Sequence, residues 1–149
     1  CGIPVSFYER PAGTWFGPGP AGPLFGRQFD LAAFAWLGHV NPDCTIFTSG
    51  TIPGPEEYDF GGWNAPNVSG WSDDVYDAVC QTAVDALPGG EGYEENMREA
   101  LRIFNEQLPA LPLFTNFKVV AVRADIENVG PDPTQPSALW NIAEWDVQE

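Results

Sequence analysis

Two groups of carboxylates, one short polar run and three cysteines are the residues here whose types and spacing could do chemistry. Glu56, Glu57 and Asp59 lie together in a Gly- and Pro-rich stretch, and Asp73, Asp74 and Asp77 follow Trp71. A glycosidase needs two such carboxylates, one kept protonated as the acid and one ionised. That division requires apolar neighbours that raise one pKa, and neither group has them. A glycosidase is the best of the enzyme readings, but Asp73, Asp74 and Asp77 are accounted for by placement at a helix start. Glu56, Glu57 and Asp59 do not have the spacing of an EF-hand calcium loop. No GxSxG, HExxH or phosphate-cradling glycine loop occurs. His39 is the single histidine, so a histidine metal cluster cannot form. Cys1, Cys44 and Cys80 include no CxxC pair, which leaves little for zinc or dithiol redox chemistry. Neither catalysis nor a cofactor is expected.

The polar run is Gly38, His39, Val40, Asn41 and Pro42, and what precedes it should position it. Residues 29–37 are apolar except for Asp30 and are bounded by Gly26 and Gly38. A run that short, without a helical stripe, predicts a buried strand. A strand apolar on both sides belongs in a sheet covered on both faces. Ligands of open α/β sheets settle beyond the carboxyl ends of central strands, which makes Trp36, His39 and Asn41 the first candidates for a binding site. Without such a sheet the same run is plain core.

The rest of the chain sets the context. At 149 residues it is long enough for one domain with a real core. It is 44% hydrophobic and 18% charged, which is globular rather than disordered. The net charge of −15, with Lys118 the one lysine, excludes a nucleic-acid or anionic-membrane partner. No apolar run is long enough to span a membrane. The chain opens at Cys1 and enters an apolar segment almost at once, which reads as the middle of a longer protein.

Residues 3–8 alternate like a strand. Residues 9–26 are rich in Gly and Pro, with room for one helical turn capped by Thr14 over Trp15 and Phe16. Asn41 and Pro42 could open a short helix over 43–48. Residues 49–70 form a long loop of the kind that is functional or mobile. The sequon Asn67-Val68-Ser69 in it is expected to be unused. Ser72 predicts an N-cap for a helix over 73–87, with Tyr76, Val79, Cys80, Ala83 and Leu87 inward. A second helix over 93–108 turns Met97, Ala100, Leu101, Phe104 and Leu108 inward, and Pro109 stops it. Residues 111–114 and 117–123 read as strands, and 139–147 as a short strand or edge segment packing Trp140 and Trp145. The order is that of an α/β layered domain.

With these elements in place, five segments resemble the C-terminal portion of the family 5 extracellular solute-binding proteins, the peptide-type receptors of ABC importers. They are GIPVSFYE, FGRQFDLAAFAWLGHVNP, NVSGWSDDVYDAVC, ALRIFNEQLPALPLF and FKVVAVR. The resemblance implies lobe II of a type II periplasmic-binding-protein-like (Venus flytrap) fold, a mixed sheet flanked by helices. The missing N-terminal part would carry a signal peptide, a lipid anchor and the first lobe, and ligand would lie in the cleft between the lobes. The receptor would be monomeric, extracellular or periplasmic, and would dock on permease subunits.

The resemblance also names contacts. Phe34, Trp36 and Leu37 would lend backbone groups and an aromatic surface to an extended ligand by strand addition. Asn116, beside Phe114 and Thr115, aligns with a cleft-facing stretch. His39 stands where peptide-binding relatives place the aspartate that holds a ligand's α-ammonium. Losing such a charge partner costs roughly 2–5 kcal/mol, so a blocked peptide, an oligosaccharide or another neutral solute is favoured over a free-amine peptide. In an exported protein Cys44 and Cys80 are expected to form a disulfide worth roughly 3–4 kcal/mol; two buried free thiols are the alternative. A reading from a different class is a secreted carbohydrate-binding or enzyme-accessory domain, a β-sandwich presenting Trp63 and Trp71.

Overall fold

A computed structural model of the chain describes residues 2–36, 43–55, 62–114, 119–132 and 137–148. Among them the regular elements are three α-helices, Ala12–Trp15 (α1), Asp74–Asp85 (α2) and Tyr93–Gln107 (α3), a few 3-10 turns, and two short strands, Ile126–Glu127 (β1) and Asp146–Val147 (β2). The strands form a two-stranded antiparallel sheet with Ile126 opposite Val147 and Glu127 opposite Asp146. This overturns the expected mixed sheet flanked by helices, and with it the Venus flytrap lobe. The chain divides into two compact units; of the described residues, 2–36, 43–55 and 62–111 belong to the first and 112–114, 119–132 and 137–148 to the second.

The core of the first unit is the packing of α2 on α3. Asp73, not Ser72, caps α2: its backbone is extended and its carboxylate accepts the Tyr76 N–H at 2.8 Å. Asp74 and Asp77 in the first turn oppose the positive end of the helix dipole. Tyr76, Cys80 and Ala83 recur at helical spacing and are buried, with Val79 packed beside them. Leu87 lies beyond the last turn and is exposed. On α3 the buried residues are Met97, Ala100, Ile103 and Phe104, while Leu101 and Leu108 face solvent. Leu108 ends the helix with φ 50°, its N–H on the Phe104 carbonyl at 2.7 Å, and Pro109 follows. Ala83 and Ala100, fully buried, are the small residues at this interface.

A 3-10 turn at Thr45–Phe47 closes one end of this pair. Phe47 packs on Phe104 with ring centroids 4.8 Å apart. The disulfide Cys44–Cys80, the pairing expected from the sequence, joins the turn to α2 across a Cα–Cα distance of 5.7 Å. The Tyr76 hydroxyl donates to the Cys44 carbonyl at 2.7 Å. Burial, with Asp43 and Asp77 nearby, pushes the Tyr76 phenol well above its usual pKa.

The described parts of the long loop 49–70 are folded rather than loose. A second 3-10 turn, Ser49–Thr51, bonds to α2 through Asp77, which accepts the Ser49 N–H at 3.0 Å and the Ser49 hydroxyl. Asn67 is fully buried. Its Nδ2 donates to the Thr48 and Trp71 carbonyls at 3.0 and 2.8 Å, and its Oδ1 accepts from the Ser69 hydroxyl. The Gly54 N–H donates to the Gly62 carbonyl at 3.3 Å, tying the base of the segment between them.

Residues 3–8, 111–114 and the described part of 117–123 are not strands. Ile3, Val5, Phe7, Leu111, Leu113, Phe114 and Val119 are all exposed, Phe7 at 90%. Alternation favours a strand only where another strand accepts its backbone groups, and among the described residues none does. Residues 29–36 are likewise irregular and bend at Asp30 and Leu31, so the buried central strand expected there is replaced by coil. The second unit is organised by Asn141, which is buried and donates to the Asn128 carbonyl at 2.8 Å while accepting the Trp145 indole N–H at 2.9 Å.

The linkage of α2 to the segment before it gives a stability prediction. Cys80→Ser removes a crosslink of 36 residues' separation and is expected to cost about 3–4 kcal/mol, measured by urea unfolding of the whole chain. Asp73 gives a second. Its carboxyl is held below the usual carboxylate range first by the Tyr76 N–H and then by the Gln107 side chain. A lowered folded-state pKa means that this stabilisation is present above the unfolded carboxylate pKa and is lost as pH falls through the folded one. Asp73→Ala is therefore expected to cost about 1 kcal/mol at neutral pH, and the gap to the parent chain should narrow in acid.

Candidate functional site

The candidate site is an aromatic patch on the first unit, built from the segments on either side of a tight glycine-proline loop. Pro11 stands at the N-cap of α1, whose last residue is Trp15, and Phe16 caps its C-terminus. The loop then folds back on itself: the Gly22 N–H donates to the Gly19 carbonyl at 3.1 Å and the Gly26 N–H to the Gly22 carbonyl at 2.8 Å. A Cβ at Gly22 would stand 1.9 Å from the Gly17 carbonyl oxygen, and one at Gly26 2.2 Å from that of Pro20, so only glycine fits either position. The reversal brings Leu24 and Phe25 inward to pack with Val68. Trp15, Phe29, Ala32 and Phe34 lean on this small cluster.

Phe34 is the hinge of the patch. It packs against the cluster and stands edge-to-face to two more rings, Trp36 at 5.1 Å and 88° and Phe16 at 6.3 Å and 81°. Phe16 and Trp36 close the triangle at 6.3 Å. Phe16 is 37% and Trp36 39% exposed, so the rings present a half-open apolar surface. Each such pair contributes about 0.5–1.5 kcal/mol beyond the area it buries. The Trp36 indole N–H makes no hydrogen bond among the described residues. Charge is balanced here: residues 2–36 hold Glu9 and Asp30 against Arg10 and Arg27, while the whole chain carries −15.

Of the site residues expected from the sequence, Phe34 and Trp36 are brought together, by aromatic contact rather than along a strand. The backbone of 29–36 forms no ladder among the described residues, so strand addition onto a preformed sheet is not what this segment offers. Leu37, His39, Asn41 and Asn116 lie outside the described residues, as do Glu56, Glu57 and Asp59. Phe16 is the contributor the sequence reading missed. It was legible only as one more residue of a helical turn, because what joins it to Trp36 is the fold-back of the loop between them.

Among the described carboxylates, two of those at the start of α2 have partners within the fold. Asp73 is tied to the Tyr76 N–H and to Gln107, and Asp77 to Ser49. No group of three His, Cys, Asp or Glu residues among those described could hold a metal ion. No described helix is long and apolar enough to cross a membrane. Trp71 is half-buried, edge-on to Tyr76 at 4.8 Å with its indole N–H on Gln107 at 2.9 Å, and Trp63 is half-buried as well. No protein-family model, curated protein or solved structure matches the chain.

The two rings nearest each other should respond differently to truncation. Phe34→Ala is expected to cost roughly 2 kcal/mol, below the ~3–5 kcal/mol of a fully buried Phe. Trp36→Ala, at the margin, should stay within about 1 kcal/mol of the parent. Thermal and urea unfolding of the two variants would show the order.

Proposed function

We propose that this chain is part of an extracellular solute-binding protein, the capture component of an ABC importer, and that the Phe16–Phe34–Trp36 patch contacts its solute. The observation that carries the reading is the patch itself: aromatic rings half-open to solvent, an indole N–H with no partner among the described residues, and no excess charge in the stretch that builds it. Such a surface suits a neutral solute with an apolar face and a hydrogen-bond acceptor, a blocked peptide or an oligosaccharide. The likeness of the five sequence segments to family 5 receptors supports transport, with permease subunits as partners. The buried disulfide suits an oxidising compartment outside the cytoplasm. The charge of −15 argues against an anionic solute or a nucleic acid. Binding without chemistry is the corresponding mechanism: the rings exclude water from one face of the solute while the indole orients it.

The secreted carbohydrate-binding or enzyme-accessory reading draws less support. Trp71 spends its indole N–H on Gln107 and its ring on Tyr76, which leaves no flat platform with Trp63.

A thermal-shift screen of the intact protein against blocked peptides, neutral oligosaccharides and free-amine dipeptides tests the proposal. Blocked peptides or oligosaccharides are expected to raise Tm, by the equivalent of about 2.7 kcal/mol at a hundredfold excess over Kd. Trp36→Ala should weaken the solute so identified by about 1 kcal/mol, roughly fivefold in Kd. A large shift with a free-amine dipeptide alone, or binding indifferent to Trp36, would overturn the assignment.

A further inference from the structure

The sequon Asn67-Val68-Ser69 has the composition of an N-glycan acceptor, and its surroundings decide when it could act as one. Asn67 is 0% exposed. Both hydrogens of its side-chain amide are committed, one to the Thr48 carbonyl at 3.0 Å and one to the Trp71 carbonyl at 2.8 Å. The hydroxyl of Ser69 is turned inward onto Asn67 Oδ1 at 2.7 Å. Val68 is buried with Leu24 and Phe25, so the middle residue is anchored too. The Arg27 side chain lies over Gly70, where an added Cβ would come within 2.9 Å of its Nη1. A transferase must hold the acceptor extended and reach the amide nitrogen, and the contacts of Asn67, Val68 and Ser69 oppose that.

We propose that Asn67 is a sugar acceptor of the unfolded chain only, and that attachment at Asn67 and the native fold exclude each other. Transfer would form a bond from C1 of the sugar to Asn67 Nδ2 and break the sugar–phosphate bond of the donor. The phosphorylated leaving group departs and Nδ2 gives up one proton. The remaining N–H can serve Thr48 or Trp71, not both, and the sugar would occupy space that has no opening to solvent. A chain exported before it folds is thus exposed to modification for as long as the 48–71 segment stays open, and is closed to it afterwards.

The test uses an asparagine glycosyltransferase that takes a nucleotide-sugar donor, with site occupancy read by peptide mass spectrometry. Three substrates are compared: the native full chain, a synthetic peptide of residues 62–72, and a Pro4→Asn variant of the full chain. The variant gains an acceptor before Val5 and Ser6, in an exposed segment outside the helices. The peptide should be modified at the position of Asn67, and the variant at residue 4. Asn67 should remain unmodified in both full-length chains. A Cys80→Ser chain, in which the crosslink to α2 is gone, should be modified at Asn67 faster than the parent. Modification of Asn67 in the native chain at a rate approaching that of the peptide, with the disulfide intact, would overturn the proposal. So would a sugar-bearing chain that keeps the parent's thermal transition.

Discussion

The contact between α2 and α3 is what the first unit rests on. Both helices are amphipathic and carry their apolar residues on one stripe, so neither is stable in water alone. Packing Tyr76, Cys80 and Ala83 against Met97, Ala100, Ile103 and Phe104 buries both stripes at once. The same contact gives the preceding chain something to attach to. Cys44 is bound covalently to α2, Phe47 fills the end of the pair beside Phe104, and Asp77 holds the next turn through Ser49. Asn67 then draws the far end of the 49–70 segment back onto that turn.

The polar groups in this arrangement connect one segment of the chain to another. Asp73 carries the N-terminus of α2 and reaches Gln107 near the end of α3, and Gln107 accepts the indole N–H of Trp71. Each of these groups would be a candidate catalytic or binding residue by type alone. Their partners explain their presence without a substrate. The patch at Phe16, Phe34 and Trp36 differs because its exposed side has no partner among the described residues.

What could be read in the sequence follows from the range of the forces involved. A helix is fixed by neighbours three and four residues away, so α2 and α3 were legible to within a few residues from the spacing of Tyr76, Cys80 and Ala83 and of Met97, Ala100 and Phe104. A strand is fixed by another strand that can lie anywhere in the chain. Ile3, Val5 and Phe7 show the right alternation, but that period is a precondition and not a cause, and the segment stays exposed. The run at 29–37 misled for a related reason. Apolar residues on both sides of an extended segment imply cover on both sides, yet here Phe29, Ala32 and Phe34 find cover while Leu31 does not. Two of the patch's three rings were named from the sequence, Trp36 because it adjoins a polar run and Phe34 through the resemblance. Phe16 was not, since its place depends on the reversal that Gly22 and Gly26 permit.

The bond from the Gly54 N–H to the Gly62 carbonyl holds two positions that are well apart in sequence within hydrogen-bond distance. Lengthening the chain that joins two such closed ends costs only about 0.6 kcal/mol for each doubling. An insertion between the two positions is therefore a way to splice in a reporter, such as a short affinity epitope or a fluorophore-bearing cysteine-free tag. The graft would hang from two glycines already pinned to each other, leaving the helix pair and the aromatic face to fold as before.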